Sequence, residues 1–396
     1  MKKVSKITLL LIVGLCSLVG MQSFAADLFT PDIKFWLEGR FDYINKSQIT
    51  KTGGNVTGQI NQQDFQCNRV RPNAGGKVND NLKYRVRLNL CQPDPSPLNR
   101  DNTPLIVDMA YFDDAMFDNF TLRAGKFALT EQLGWETEYS SSNVFQYSGA
   151  FTQMNTSYGY FRTGIEGTYK LWGQELKFNI TTPTVTANPA VSGYQTNYGL
   201  SYALYAKGSF MDDMIQPILS YTIFNVDGTT GATPTSAATN TVAAAGVRVN
   251  PLDNLMVDVN YDYLYQPWTG VTVTNPSGAT TAANVNPSTM QTWEARAFYK
   301  YGKFVPNLGF FTDNFGTTVN SAQYVDTEYE GGIWYYPYDN ANFRYELEYS
   351  TVYQNNDPSA TTGSVANNRL WVGFRFDIGN PTPAKTKNVS SQGSEI

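Results

Sequence analysis

The chain has 396 residues and a formal net charge of −5, and this acidic balance argues against nucleic acid as a partner. It contains no histidine, which excludes Ser-His and Cys-His catalysis, histidine metal sites and histidine-bound haem. Its 26 tyrosines and 23 phenylalanines are unusual for a soluble β-protein and typical of a protein with aromatic girdles.

The N-terminal segment predicts export. Three lysines precede an apolar run over 7–20, and Ser23-Phe24-Ala25 forms a small-x-small cleavage motif. We therefore expect a cleaved signal peptide over 1–25. Beyond this segment the sequence has no apolar run of 18 residues, so no helical membrane span is expected.

Most of the remaining sequence alternates between apolar and polar residues. The pattern is clear in "IKFWLEGRFDY" at 33–43, "NLKYRVRLNL" at 81–90, "LMVDVNYDYLY" at 255–265 and "RLWVGFRFDI" at 369–378. A period of two predicts β-strands with one apolar and one polar face. These runs extend over about 9–12 residues, as in transmembrane barrels, whereas sandwich strands usually have about 5–6.

Short and long connections alternate along the chain. Long Asn-, Thr-, Ser- and Gly-rich stretches are predicted as loops over 46–63, 92–103, 128–158, 183–196, 226–240, 266–289, 312–323 and 354–367. Short turns are predicted at 79–81, 118–119, 172–173, 212–213, 251–254, 301–302 and 337–340. This alternation predicts an all-β fold, a transmembrane antiparallel β-barrel of about 16 strands over 26–378, with an error of two strands. A soluble sandwich or repeat array is the alternative, but it gives no reason for the alternation.

The second and third predicted strands concentrate cations on their polar parity. They carry Arg69, Arg71, Lys83, Arg85 and Arg87, which we call the basic group. A tight turn at Asp80 makes the two strands a hairpin, so these side chains stand on neighbouring rungs and repel one another unless water and an opposing negative charge compensate. Either the group is an ordinary solvated pore wall, or it is the basic half of a pore constriction.

The third long loop supplies a candidate acidic partner. It contains Glu131, Glu136 and Glu138 and no Lys or Arg, and its aromatic residues indicate that it packs against other parts of the protein. Acids on this loop opposite arginines on the wall would create a transverse electric field that selects solutes by charge, dipole and size. The alternative is an ordinary exposed acidic loop.

Cys67 and Cys91 flank the turn near Asp80 and share the predicted lumen-facing parity. A structural disulfide between them is expected in an oxidising compartment, and two free thiols are the alternative. Neither the cysteines nor any other residue pattern predicts a metal site, and no cofactor is expected.

Two stretches carry a family resemblance. "FQCNRVRPNAGGKVNDNLKYRVRLNL" at 65–90 resembles an early hairpin of the phosphate-selective porin O and P group, and "VDMAYFDDAMFDNFTLRAGKFALTEQLGWE" at 107–136 is similar to its next hairpin. The resemblance implies a Gram-negative outer-membrane diffusion channel with 16 strands, usually trimeric, whose third loop folds into the barrel. By position it makes Arg69, Arg71, Arg85, Arg87 and Arg123 pore-lining residues and places Glu131 and Glu136 on the constriction loop.

The sequence departs from this group in two places. The group relies on extended rows of basic side chains, whereas the polar faces of later strands carry acids: Asp258, Asp262, Glu294, Glu346 and Glu348. The chain also continues past Phe376 into "GNPTPAKTKNVSSQGSEI", and residues 379–396 are predicted to be a disordered periplasmic tail, either a spacer or a peptidoglycan contact.

The predicted function is a non-enzymatic porin for passive diffusion of small hydrophilic solutes and ions. A channel selective for phosphate, other anions or sugars is the alternative within transport, and a surface adhesin or structural barrel lies outside it. Expected partners are outer-membrane lipid, lipopolysaccharide and two further copies of the chain.

Overall fold

The computed structural model describes residues 32–52, 55–90, 107–138, 148–151, 160–182, 195–230, 233–234, 238–266, 273–274, 280–281, 288–317, 323–338, 343–355 and 365–378. The predicted signal peptide, the predicted C-terminal tail and Cys91 lie outside these residues.

Sixteen long strands form the fold, as the alternating pattern predicts. Their bounds are β1 Asp32–Thr52, β2 Asn55–Lys77, β3 Leu82–Leu88, β4 Val107–Phe117, β5 Phe120–Ala128, β6 Phe161–Leu171, β7 Gln174–Thr181, β8 Gln195–Lys207, β9 Ile215–Thr230, β10 Ala238–Leu252, β11 Leu255–Gln266, β12 Ser288–Tyr299, β13 Phe304–Thr317, β14 Gln323–Tyr335, β15 Phe343–Asn355 and β16 Val365–Ile378. Three two-residue strands lie in the connections after β9 and β11.

Each long strand pairs antiparallel with its neighbours in the sequence, and β16 returns to pair with β1. This last pairing runs from Leu37 opposite Ile378 to Thr50 opposite Val365, so the sheet closes on itself. Closure removes free edges, which a lipid environment cannot satisfy by hydrogen bonding. No helix in the described part of the chain is long and apolar enough to cross a membrane.

The two faces of the sheet differ as the alternation predicts. Large apolar side chains point outward and are exposed, among them Phe35, Phe112, Ile165, Leu204, Leu219, Leu308 and Leu347. Polar and charged side chains point inward and are buried, among them Asn73, Arg87, Thr222, Asn260, Asp313, Glu328 and Ser350. The barrel therefore presents an apolar surface outside and a charged interior, the pattern of a membrane channel.

The predicted short turns all lie between paired strands. In the turn between β6 and β7, Trp172 and Gly173 have φ values of 50° and 76°, as a two-residue type I′ hairpin requires.

The first predicted long loop, 46–63, is not a loop. β1 and β2 remain paired through Lys46 opposite Gln62 and up to Thr52 opposite Asn55. Backbone hydrogen bonds form whatever the side-chain polarity, so the Asn-, Gln- and Thr-rich composition did not interrupt the two strands.

Candidate functional site

The third long connection enters the barrel. We call its described residues, 129–138 and 148–151, the inserted segment. Residues 129–137 and 148–150 are all buried although they belong to no strand. The Leu129 amide donates to the Tyr160 carbonyl (3.1 Å) and the Tyr160 hydroxyl to the Thr137 carbonyl (2.8 Å), so the two ends of the connection are held together.

An apolar cluster inside the barrel holds the inserted segment. Leu133 and Ala150 pack against inward-facing side chains of β9 to β13, namely Phe224, Val242, Leu264, Met290 and Phe315. The alternating pattern did not predict this cluster. Its signal was present, because each of these five residues is apolar and has a polar residue two positions away on the same strand face, as with Leu264 beside Asp262. An apolar residue on the wet face of a channel requires a covering partner.

Hydrogen bonds fix the segment against the same side of the wall. Asn260 of β11 accepts from the Trp135 amide (3.3 Å) and donates to the Leu133 carbonyl (3.0 Å). Ser220 of β9 donates to the Gln132 carbonyl at 2.8 Å. Gly134, between Leu133 and Trp135 in the chain, has a φ of +56°, in the left-handed region, and a Cβ there would collide with the Asn260 side chain. The bonds come from separate strands and therefore determine both position and orientation.

Glu131 pairs with a wall cation, but not with the basic group. Its carboxylate forms a salt bridge with Lys177 of β7, which also contacts Glu175 at 3.1 Å. Burial alone would raise the pKa of Glu131, but the charge and hydrogen bond of Lys177 lower it below its ordinary value. Glu131 is thus a buried, ionised anchor of the inserted segment.

Glu136 also faces inward from the inserted segment. Its carboxylate accepts from the Ser148 hydroxyl (2.6 Å) and the Ser148 amide, which joins the two described parts of the segment. Burial and the negative charge of Glu294 raise the pKa of Glu136 well above its ordinary value. The predicted partnership of the loop acids with the basic group is therefore wrong for Glu131, which meets Lys177, and for Glu136, which meets Ser148 and Glu294. The side chain of Glu138 lies outside the described residues.

Acids on β1 and β4 pair with three arginines of the basic group instead. Arg71 contacts Asp108 at 2.9 Å, and Arg87 contacts Asp108 at 3.4 Å and Glu38 at 3.9 Å. Arg71 and Arg87 also lie over the ring of Phe161, at 6.0 and 5.2 Å from its centroid, where the third connection rejoins the wall. Glu38 was not predicted as a partner because β1 and β3 are not neighbours in the sequence; both pair with β2.

The remaining predicted basic residues occupy different environments. Arg85 contacts Glu38 at 3.3 Å and lies 5.1 Å from the Trp36 ring centroid. Arg123 on β5 binds Asp113 at 2.7 Å and Glu166 at 3.5 Å. Lys83 is exposed beside the turn, and Arg69 is half-buried opposite Arg40. The structure thus brings Arg71, Arg85 and Arg87 together around Glu38 and leaves Lys83 and Arg123 apart.

Cys67 does not have the predicted orientation. A bulge in β2 shifts the register, so that Arg69 lies opposite Arg40 but Cys67 lies opposite Phe41. One extra residue reverses the side-chain parity of a strand, which places Cys67 on the outward face. Cys67 is disulfide-bonded. Cys91 lies outside the described residues, so its pairing with Cys67 stays a prediction.

Carboxylates are concentrated on a run of later strands. Acids with buried side chains face inward from five consecutive strands, β11 to β15: Asp258, Asp262, Glu294, Asp313, Asp326, Glu328, Glu330, Glu346 and Glu348. Two arginines lie on the same strands, Arg296 on β12 and Arg344 on β15. The described interior therefore has a basic side on β2 and β3 and an acidic side on β11 to β15.

A closed barrel with a charged interior, into which a long connection is folded, defines a porin-type channel. The family model described as phosphate-selective porin O and P matches residues 46–378, and the chain belongs to this family. The protein is an outer-membrane channel for passive diffusion of small hydrophilic solutes and ions.

Solved structures share this fold at low sequence identity. The outer membrane channel DcaP of Acinetobacter baumannii is 12% identical with a TM-score of 0.61, and the match covers 88% of this chain and 97% of that one. An anion-selective porin from Comamonas acidovorans is 9% identical with a TM-score of 0.58, covering 88% and 100%. OmpT of Vibrio cholerae is 13% identical with a TM-score of 0.55, covering 87% and 97%. No curated protein sequence matches the chain.

Proposed function

We propose that the inserted segment forms the narrowest part of the channel. Its docking supports this: Leu133, Ala150 and Trp135 are buried inside the barrel against β9 to β13. Solutes then pass between the segment and the remaining wall, which includes the basic group. Because the segment is fixed by apolar packing, hydrogen bonds and the Glu131–Lys177 salt bridge, the opening has a defined size rather than a fluctuating one.

We propose that this opening admits small solutes of both charge signs, with an orienting transverse field. The support is the uneven charge distribution, with Arg71, Arg85 and Arg87 on β2 and β3 and carboxylates such as Asp262 and Glu328 on β11 and β14. Such a field aligns dipolar solutes as well as ions. A phosphate- or anion-selective channel is the second candidate, favoured by the family and by three arginines that share the two acids Glu38 and Asp108.

Planar-bilayer recording separates these candidates. A channel open to both signs shows stepwise conductance and a small reversal potential in a potassium chloride gradient. It also shows no concentration-dependent block of chloride current by phosphate. A large anion-directed reversal potential together with phosphate block supports the second candidate. A folded protein without stepwise conductance overturns both.

The predicted domain division and assembly also belong to this proposal. Residues 1–25 are removed on export, 26–378 form the barrel in contact with lipid and lipopolysaccharide, and 379–396 extend into the periplasm towards peptidoglycan. Three copies assemble as a homotrimer. The mass of the mature protein tests removal of residues 1–25. Its sedimentation with and without peptidoglycan tests the role of residues 379–396, and native mass spectrometry tests the trimer. An N-terminus other than Ala26 contradicts the predicted cleavage. Lack of co-sedimentation contradicts the peptidoglycan contact, and a monomer contradicts the trimer.

Cys67 and Cys91 are proposed as a disulfide pair that ties β2 to the connection after β3. Thiol alkylation of the denatured, unreduced mature protein then adds no label. Replacing either cysteine by serine exposes the other to one label. Label on the unmodified mature protein contradicts the pairing. Loss of the bond is expected to lower stability by about 2–4 kcal/mol.

A further inference from the structure

Three buried carboxylates from three separate elements meet where the inserted segment touches the wall. They belong to Glu136 of the inserted segment, Asp262 of β11 and Glu294 of β12, and one oxygen of each lies within 4.8 Å of the others. Asp262 and Glu294 are diagonal neighbours across the strand pair, because Asn260 is opposite Glu294 and Thr292 opposite Asp262. The fold therefore gathers three acids that lie far apart in the chain.

Among the described residues, the cation paired with this cluster is shared with another acid. Arg296 contacts Glu294, but the same guanidinium also binds Glu330, so it serves two carboxylates at once. Among the described residues, Oδ2 of Asp262 and Oε2 of Glu294 have no hydrogen-bond partner, although both side chains are at most 2% exposed. Buried carboxylate oxygens of native proteins normally have a partner, so these two are available to bind a cation.

Supporting residues orient the carboxylates. Asn260 Nδ2 donates to Oδ1 of Asp262 at 2.9 Å, which leaves the other oxygen directed elsewhere. The Ser148 hydroxyl and amide hold the carboxylate of Glu136. Outer partners of this kind commonly fix the carboxylates that bind a metal ion.

We propose that Glu136, Asp262 and Glu294 bind one divalent cation of the calcium type, which ties the inserted segment to β11 and β12. Oxygen ligands select hard cations, and flexible carboxylates that bind through one or two oxygens suit Ca²⁺ better than the strict octahedron of Mg²⁺. The cation supplies the positive charge that the shared Arg296 does not. It adds a further fixed point to a segment whose position sets the width of the opening.

The test uses the purified full-length protein, folded in detergent and freed of metal by a chelator. Tb³⁺ serves as the probe, because it takes calcium sites and its luminescence is excited by nearby indole rings; Trp135 precedes Glu136 in the chain. We expect saturable luminescence at one Tb³⁺ per chain, displaced by Ca²⁺. Asp262→Asn and Glu136→Gln keep side-chain size and remove a ligand charge.

Each variant is expected to weaken Tb³⁺ affinity at least about tenfold, since even the loss of an outer partner weakens metal sites about 10–100-fold. Glu328→Gln is the matched control, because it neutralises an equally buried acid of β14 outside the cluster and should leave binding unchanged. Glu136→Gln lies outside the barrel strands, so it tests the site even if Asp262→Asn fails to fold. Lack of saturable binding, or equal binding by folded Glu136→Gln, overturns the proposal.

Single-channel conductance of the same preparations distinguishes failure of the cation site from failure of the proposed channel function. If the channel conducts but binds no cation, the cation site is wrong and the porin function stands. If the cation binds, the chelator is expected to increase the open-channel current noise of the unmodified protein and to leave that of Glu136→Gln unchanged.

Discussion

The ring of Trp135 covers the guanidinium of Arg248, with 3.9 Å between the guanidinium carbon and the ring centroid. Arg248 is held for this contact by two hydrogen bonds to Asp258, at 2.8 and 2.7 Å. The indole Nε1 donates to the Gln216 carbonyl at 3.1 Å, so the ring is fixed on its edge as well as on its face. A buried aromatic–cation pair thus joins the inserted segment to β9 and β10.

Replacing Trp135 by alanine is expected to release this part of the segment. Truncation of a buried tryptophan typically costs about 3–5 kcal/mol. Here the lost contacts join the inserted segment to the wall, so the pairing between strands stays intact. We expect a folded barrel with higher single-channel conductance and more current noise in a planar bilayer. Trp172→Ala is the control, because Trp172 is 89% exposed in a turn. Unchanged conductance of the folded Trp135→Ala protein would show that the ring does not position the segment.

Glu131→Gln is expected to lower stability in a pH-dependent way. The pKa of Glu131 lies below its ordinary value in the folded protein, because the charge of Lys177 overcomes the effect of burial. The stabilisation is therefore complete above pH about 4.5, the ordinary value, and is lost as the pH falls through the lowered pKa. At pH 7 the variant should lose roughly 1.5–3 kcal/mol, typical of hydrogen bonds to charged groups.

Urea unfolding at pH 7 and pH 3 measures this effect. The difference in unfolding free energy between the unmodified protein and the Glu131→Gln variant should shrink at the lower pH. Glu131→Gln combined with Lys177→Met completes a double-mutant cycle that isolates the pair, since Lys177 also contacts Glu175. A pH-independent difference would mean that Glu131 acts through its size and not through its charge.

The arginines of the basic group should control charge preference. Arg85→Gln with Arg87→Gln removes two cations next to Glu38 and leaves that carboxylate less compensated. The reversal potential in a salt gradient should therefore move towards cations, with the permeability ratio changing roughly twofold or more. Lys83→Gln is the control on the same strand, because Lys83 is exposed beside the turn. Equal shifts for both changes would exclude a special role for the arginines.

One glycine at the barrel closure lies where a side chain would collide with a neighbouring ring. Gly39 of β1 lies beneath the ring of Phe376 on β16, and a Cβ at this position would collide with that ring. Phe376 also stacks with Phe41 at 6.4 Å and with Phe374 at 6.5 Å between centroids, so turning it aside would give up ring contacts. Gly39→Val should therefore destabilise the closed barrel by about 1–3 kcal/mol, as overpacking usually does.

Urea unfolding in lipid vesicles gives the measurement. Gly58→Val on β2 is the control, because a Cβ there makes only ordinary contacts with Thr50, the nearest at 3.8 Å. If the two variants unfold at the same urea concentration, steric crowding at the closure is not what Gly39 avoids.

The period-two alternation by itself predicted the strands and their two faces, and the turn residues with the alternation of short and long connections predicted the seven short turns and about 16 strands. These follow from local physics, since a side chain on a strand alternates between faces and a turn needs particular residues within a few positions. The inward direction of the basic group follows from the same parity, as shown by buried Arg71 and Arg87. A single bulge was enough to reverse the parity predicted for Cys67, because it adds one residue without a visible break in the sequence pattern.

Only the tertiary structure decided which charges meet. Glu38 on β1 meets Arg85 and Arg87 on β3 because both strands pair with β2. Glu131 reaches Lys177 because the inserted segment folds back into the barrel. Closure of the sheet and entry of the third connection bring together residues far apart in sequence, and no local periodicity encodes those distances. Sequence thus specified the wall of the channel, whereas packing across its interior specified the opening.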